Sequence, residues 1–167
     1  MLQEVEGAKG LVIFVHGSGS SRFSPRNRYV AEVLQKGGIS TLLFDLLTPQ
    51  EEQVEGSQFD IPLLAKRTVD VIEKCGYDRV GLFGASTGAA AALMAASQKD
   101  VVAIVSRGGR PDLALEILDM VKAPTLLLVG GLDGPVIEWN KEAYQAILKQ
   151  LQKLVLGNAK AFGIRRS

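Results

Sequence analysis

Arg79-Val80-Gly81-Leu82-Phe83-Gly84-Ala85-Ser86-Thr87-Gly88-Ala89-Ala90-Ala91 decides how this chain is read. An apolar β-type run ends near Phe83, an alanine-rich helical run follows Ser86, and a G-x-S-x-G pentapeptide joins them. A serine at so sharp a strand-to-helix turn is lifted clear of the sheet, where its hydroxyl can act as a nucleophile. Its small neighbours have a physical reason. The serine backbone is strained, and strand and helix must approach closely around it. The second telling feature is that the sequence holds one histidine, His16, far upstream of that serine.

Outward from this turn, short β-type runs alternate with helical patterns. Strands are expected at Leu11–His16, Ser40–Asp45, Arg79–Phe83, Val101–Ser106 and Thr125–Val129, with a shorter sixth at Lys153–Leu156. Most are continuous apolar runs, as parallel strands covered on both faces are. Ser24-Pro25 reads as an N-cap with proline at the first helical position, opening a helix to about Gly37. Asp60 precedes a second helix, roughly Pro62 to Lys74, Ala85 or Ser86 opens a third, and Pro111-Asp112 a fourth to about Met120. A last helix covers about Glu138 to Gln152, its stripe of Ala143, Tyr144, Ile147, Leu148 and Leu151 reading as core packing. The expected fold is α/β, a doubly wound, mostly parallel sheet of about six strands with helices on both faces. Residues 1–157 form the domain and 158–167 an irregular tail. The acidic stretch from Thr48 to Gln58 reads as a solvated loop.

Composition narrows the function classes. With 167 residues, 47% hydrophobic and 22% charged, the chain fits one globular domain. A net charge of +1 gives no reason to expect nucleic acid or an anionic membrane as partner. No run approaches the roughly 20 apolar residues of a membrane span, and the acidic N-terminus is unlike a signal peptide. The lone Cys75 has no companion for a disulfide or a metal site and reads as a helix-end thiol. The expectation is a cytoplasmic protein with no metal and no cofactor.

In open parallel sheets a site forms beyond the carboxyl ends of the strands, where strand order reverses. If the third predicted strand neighbours the first, the turn His16-Gly17-Ser18-Gly19 lies beside Ser86. The backbone N–H of Thr87 and that of Ser18 are then the candidate oxyanion donors. Thr125–Val129 runs into Gly130-Gly131-Leu132-Asp133, which puts the Asp133 carboxylate at the same edge as a candidate triad acid. Asp45, also past a strand end, is a weaker rival. A flavodoxin-like domain whose glycines merely permit tight turns is the bland alternative.

Taken together these segments resemble the dienelactone-hydrolase-related group of the α/β hydrolases. The likeness rests on Phe14-Val15-His16-Gly17-Ser18-Gly19-Ser20-Ser21-Arg22, Ser24-Pro25-Arg26-Asn27-Arg28, Leu82 to Ala91, Ser106-Arg107-Gly108-Gly109-Arg110-Pro111-Asp112-Leu113 and Ala123 to Asp133. It runs from about Gly10 to Gly157. The resemblance implies a serine hydrolase acting on an ester or similar acyl bond of a small molecule. Three departures stand out. True dienelactone hydrolases carry cysteine at the elbow, where this chain has Ser86. The antiparallel hairpin that precedes the His-Gly strand in the family is expected to be absent. The segment that bears the family's catalytic histidine matches Gly157-Asn158-Ala159-Lys160-Ala161-Phe162, with Lys160 at the histidine position and no final helix. A shifted reading frame or an early stop would explain this ending.

The candidate bases are therefore Lys160 and His16, and neither is a natural fit. Roughly one lysine in a few thousand is neutral at pH 7, while His16 at its strand end suits a role in shaping the loop. Losing a triad histidine costs about six decades in turnover in the best-studied case. Arg22, Arg107 and Arg110 lie in loops at the catalytic edge, and guanidinium forks bind carboxylate or phosphate. They mark a candidate anion site, with loop-anchoring ion pairs as the alternative. The readings carried forward are an esterase-like serine hydrolase, a non-catalytic descendant that keeps the pocket, and a partner-binding module, such as a homodimer formed through a bare sheet edge.

Overall fold

The computed structural model describes the backbone of residues 1–161 and the side chains of residues 1–149. Six strands form one sheet: β1 (Leu2–Gln3), β2 (Leu11–Val15), β3 (Ser40–Leu43), β4 (Val80–Ala85), β5 (Ala103–Arg107) and β6 (Thr125–Leu128), in the order β1-β3-β2-β4-β5-β6. All neighbours pair in parallel except β1, which runs antiparallel to β3 through Leu2↔Leu42 and Gln3↔Thr41. Ahead of β2 the described residues hold a single two-residue strand on the edge of β3 and no hairpin.

Helices α1 (Pro25–Lys36), α2 (Ile61–Lys74) and α3 (Thr87–Ala96) and a 3-10 segment at Pro111–Met120 join the strands, and α4 (Gly134–Ala161) follows β6. Ser24 caps α1 by accepting from the Asn27 N–H, and Asp60 caps α2 by accepting from the Leu63 N–H. Each helix then begins with proline in its first turn, where the absent N–H leaves no helical bond unmade. Lys153–Leu156, expected as a strand, lies within α4. An unbroken helical register from Gly134 carries past the β-branched and leucine residues that suggested a strand. The stretch after Thr48 is also more ordered than a solvated loop. It holds 3-10 turns at Glu51–Gln53 and Ser57–Phe59, and Glu51 bonds Thr48 and pairs with Arg67.

The core has two parts. Leu11, Ile13, Leu82 and Ile104 face α2, α3 and α4, with Leu64, Leu93, Ala143 and Ile147 packed against them. Phe14, Phe83 and Leu43 face α1 through Ala31, with Val105 at the margin. Helix α3 is buried nearly all round, from Thr87 to Ala96. Its alanines let it lie close to the sheet, which seats the preceding turn against β2. On β6, Leu126 and Leu128 are half exposed. They pair in register with Val105 and Arg107, so they share the α1 face of the sheet.

Candidate active site

Strand order runs outward in both directions from the β2–β4 pair, so the carboxyl ends of these two strands meet at the reversal point. β2 delivers His16-Gly17-Ser18 and β4 delivers Ser86. Ser86 has φ 52° and ψ −126°, and is the only non-glycine residue with positive φ among those described. That conformation suits glycine and costs a residue with a Cβ about 1–3 kcal/mol. Surrounding packing holds it in place. The Ser86 N–H donates to the Arg107 carbonyl (3.4 Å), and the Ser86 carbonyl accepts from Ala89 and Arg110 (3.0 and 3.1 Å). The fit leaves no room for larger neighbours. A Cβ on Gly88 would lie 2.2 Å from the Val15 carbonyl oxygen, and one on Gly17 would lie 2.8 Å from the Ser86 Cβ.

The Ser86 side chain is exposed at the head of α3, and the Thr87 N–H is the first of that helix, with no intrahelical acceptor. Ser18 is tied to the same turn. Its N–H donates to the Thr87 Oγ1 (2.9 Å) and so ties the β2 loop to the elbow. The Thr87 hydroxyl takes the bond that would otherwise face a substrate oxygen.

His16 is 8% exposed and both ring nitrogens are engaged. Nε2 accepts from the Leu46 N–H (3.3 Å), which assigns the proton to Nδ1, 3.0 Å from the Gly17 carbonyl. The ring fastens the loops after β2 and β3 together. Asp45 is likewise occupied: it accepts from the Arg22 N–H (2.7 Å) and pairs with the Arg22 guanidinium. Arg22 is therefore a loop anchor, and Asp45 is not free to orient a base. Arg110 forks onto Asp112 and stacks over the Trp139 ring, 4.0 Å from its centroid. The Asp112 hydrogen bond holds the Arg110 guanidinium above its usual range.

Asp133 lies in the loop between β6 and α4, exposed, with its N–H on the Gly130 carbonyl and its own carbonyl accepting from Ile137. Lys160 lies outside the residues whose side chains are described. Cys75 ends α2 with its thiol on the Ile72 carbonyl. Among the described residues no three His, Cys, Asp or Glu side chains converge to hold a metal, and no helix is long and apolar enough to cross a membrane.

A cleft of about 300 Å³ runs along the β2 loop, between His16 and Ser18 on one side and Leu46, Glu52, Gln58 and Leu64 on the other. Sequence reasoning missed Glu52 and Gln58 as lining residues, because their turn-rich stretch gave no periodic signal. It also missed Asn27, 2% exposed on α1, whose Oδ1 accepts from the Arg107 guanidinium (3.2 Å).

The sheet order, the strained serine between β4 and α3 and the glycine turn beside it define an α/β hydrolase. A solved dienelactone hydrolase from Anabaena variabilis is 54% identical, with a TM-score of 0.83 over 87% of this chain and 73% of its own. The chain belongs to the dienelactone-hydrolase-related family. An esterase from Pyrococcus furiosus shares the fold at 20% identity and a TM-score of 0.61, over 84% of this chain and 69% of its own. Two Mycobacterium tuberculosis proteins, of strains CDC 1551 and H37Rv, are each named "Putative phosphoribosyl transferase". Both are 54% identical over 162 residues, 92% of this chain and 37% of their own length. This chain thus spans little more than a third of those relatives. No family model matches it.

Proposed function

We propose that the chain is a serine hydrolase acting on an ester or similar acyl bond of a small molecule. The observation that carries this reading is the Ser86 backbone, held at φ 52° between β4 and α3. Such strain persists only where the surroundings impose it, and here it exposes a hydroxyl. Ser86 is the nucleophile, and the Thr87 N–H is one oxyanion donor. Preorganised donors of this kind stabilise a tetrahedral intermediate by about 3 kcal/mol each. Ser18 supplies the second if its N–H swings from the Thr87 Oγ1 to the substrate. Asp133 is the acid of choice, since Asp45 is taken by Arg22.

The base is the role that no described residue fills, because both His16 nitrogens are committed. That observation favours a second reading, a hydrolase-derived protein that binds in the cleft without turning over. The transferase name of the mycobacterial relatives covers proteins of which this chain matches 37%. The part it matches has a hydrolase fold, so we carry no transferase chemistry to it. A partner-binding role would draw on Leu126 and Leu128 of β6, and concentration-dependent mass would reveal it.

Release of chromophore from short activated esters, with and without added imidazole, tests the proposal. The expected outcome is slow turnover that imidazole raises in the wild type and not in Ser86→Ala. Equal rates in both proteins under both conditions would refute it.

A further inference from the structure

Asn140 is a polar residue on the inward stripe of α4. It is 4% exposed, and Ala143 and Ile147 are buried on the same face further along the helix. Asparagine is a poor helix former, and an amide at such a place needs partners. Its Nδ2 donates twice, to the Val136 carbonyl (2.8 Å) and to the Gly109 carbonyl (3.1 Å). Val136 is one turn back in α4, where its carbonyl is already the ladder acceptor of the Asn140 backbone N–H. The bond to Gly109 is therefore the one that ties α4 to another element. It carries a cost, because the Asn140 Oδ1 is buried without a partner among the described residues.

Gly109 belongs to the segment that grips the Ser86 turn at both ends. The Arg107 carbonyl accepts from the Ser86 N–H, and the Arg110 N–H donates to the Ser86 carbonyl. Between these two contacts the chain turns at Gly108, with φ 52° and its N–H on the Leu128 carbonyl (2.7 Å). Gly109 then presses against β5 and α3. A Cβ there would collide with the Ser106 hydroxyl and lie 2.6 Å from the Ala89 Cβ. Among the described residues, Asn140 gives the backbone of Arg107 to Arg110 its one side-chain hydrogen bond. The strain at Ser86 persists only if this segment stays put.

We infer that Asn140 is a positioning residue for the Ser86 turn. By holding the Gly109 carbonyl it seats the segment whose backbone keeps Ser86 at φ 52°, so docking of α4 is what presents the serine hydroxyl. Its bearing on catalysis rests on the hydrolase reading, whereas the hold on the turn does not.

The test compares the intact chain with Asn140→Leu, which keeps the shape of the side chain, and Asn140→Ala, which adds no bulk should the leucine fail to fold. Ile147→Ala is the control: it loosens the packing of α4 in the core and removes no hydrogen bond. Native-state amide hydrogen exchange is read at the Ser86 and Arg110 N–H groups as a ratio to Leu82 in β4, so that a change in global stability cancels. Both Asn140 variants should raise that ratio by about tenfold, the worth of one buried hydrogen bond. Ile147→Ala should leave it unchanged. Fluorophosphonate labelling of Ser86, measured well below the melting range, should slow by about tenfold in the Asn140 variants and keep its wild-type rate in Ile147→Ala. An unchanged exchange ratio in the Asn140 variants, an equal rise in Ile147→Ala, or a labelling rate indifferent to Asn140 would overturn the inference. A raised exchange ratio with no labelling of the wild type would sink the hydrolase reading and leave the hold on the turn standing.

Discussion

Replacing Ser86 by glycine should make the protein more stable than replacing it by alanine. The two variants differ by one methyl group at a backbone held at φ 52° and ψ −126°. Alanine keeps the Cβ and with it the strain, about 1–3 kcal/mol. Glycine adopts this conformation freely, but its unfolded chain has more states to lose, a cost of about 0.5–1 kcal/mol. The balance favours glycine by about 1 kcal/mol. The serine hydroxyl confuses neither variant, since the side chain is exposed and makes no hydrogen bond among the described residues. For a domain of this size each kcal/mol moves the midpoint by about 2–4 °C. Ser86→Gly should therefore melt about 2–4 °C above Ser86→Ala, followed by far-UV circular dichroism under reversible conditions. Melting of the glycine variant below the alanine variant, the order at ordinary positions, would show that Ser86 is unstrained and remove the main support for a nucleophile elbow.

Close packing around the elbow gives a second expectation. Gly88→Ala puts a Cβ 2.2 and 2.3 Å from the Val15 and His16 carbonyl oxygens, so backbone must move. A loss of about 3 kcal/mol or more is expected in urea denaturation, against less than about 1 kcal/mol for Gly130→Ala, which meets nothing within 4 Å. Thr87→Val leaves the Ser18 N–H without its acceptor and should cost about 1–2 kcal/mol, while Thr87→Ser should retain most of the stability. Thermal melts would separate the two. At Glu51, the Thr48 N–H first and the Arg67 guanidinium after it hold the carboxyl below its ordinary range. Its folded pKa is depressed, so its contribution is present at neutral pH and lost as pH falls through the carboxylate range. Glu51→Gln should flatten that part of the stability–pH curve, and an unchanged acid limb would refute the assignment.

Much of this was legible in the residues because local signals and the global fold agree. Ser24-Pro25 and Asp60 mark the starts of α1 and α2 by chemistry that acts within one turn. The apolar runs of β2 to β6 could be little else once helical patterns separated them. What could not be read is informative. The two-residue β1 is set by pairing with β3, a long-range partner that no local pattern reveals. Lys153–Leu156 has strand-like residues but lies inside α4, since helical register overrides a four-residue propensity. At the site, the motif placed Ser86 beside the His16 loop. The motif could not show which arginine meets which carboxylate. That sorting depends on side chains from β3, α1 and the segment after β5 meeting in space. It separates Arg22 and Arg110 from Arg107, and it assigns Asp45 to Arg22.

The measurement that bears most directly on the central claim is intact mass after incubation with a fluorophosphonate, for the wild type and Ser86→Ala. The account predicts one adduct on the wild type, formed slowly because no residue among those described serves as its base, and none on the variant. A folded wild-type protein that takes up no label, or a variant labelled equally well, would contradict the assignment of Ser86 as the nucleophile.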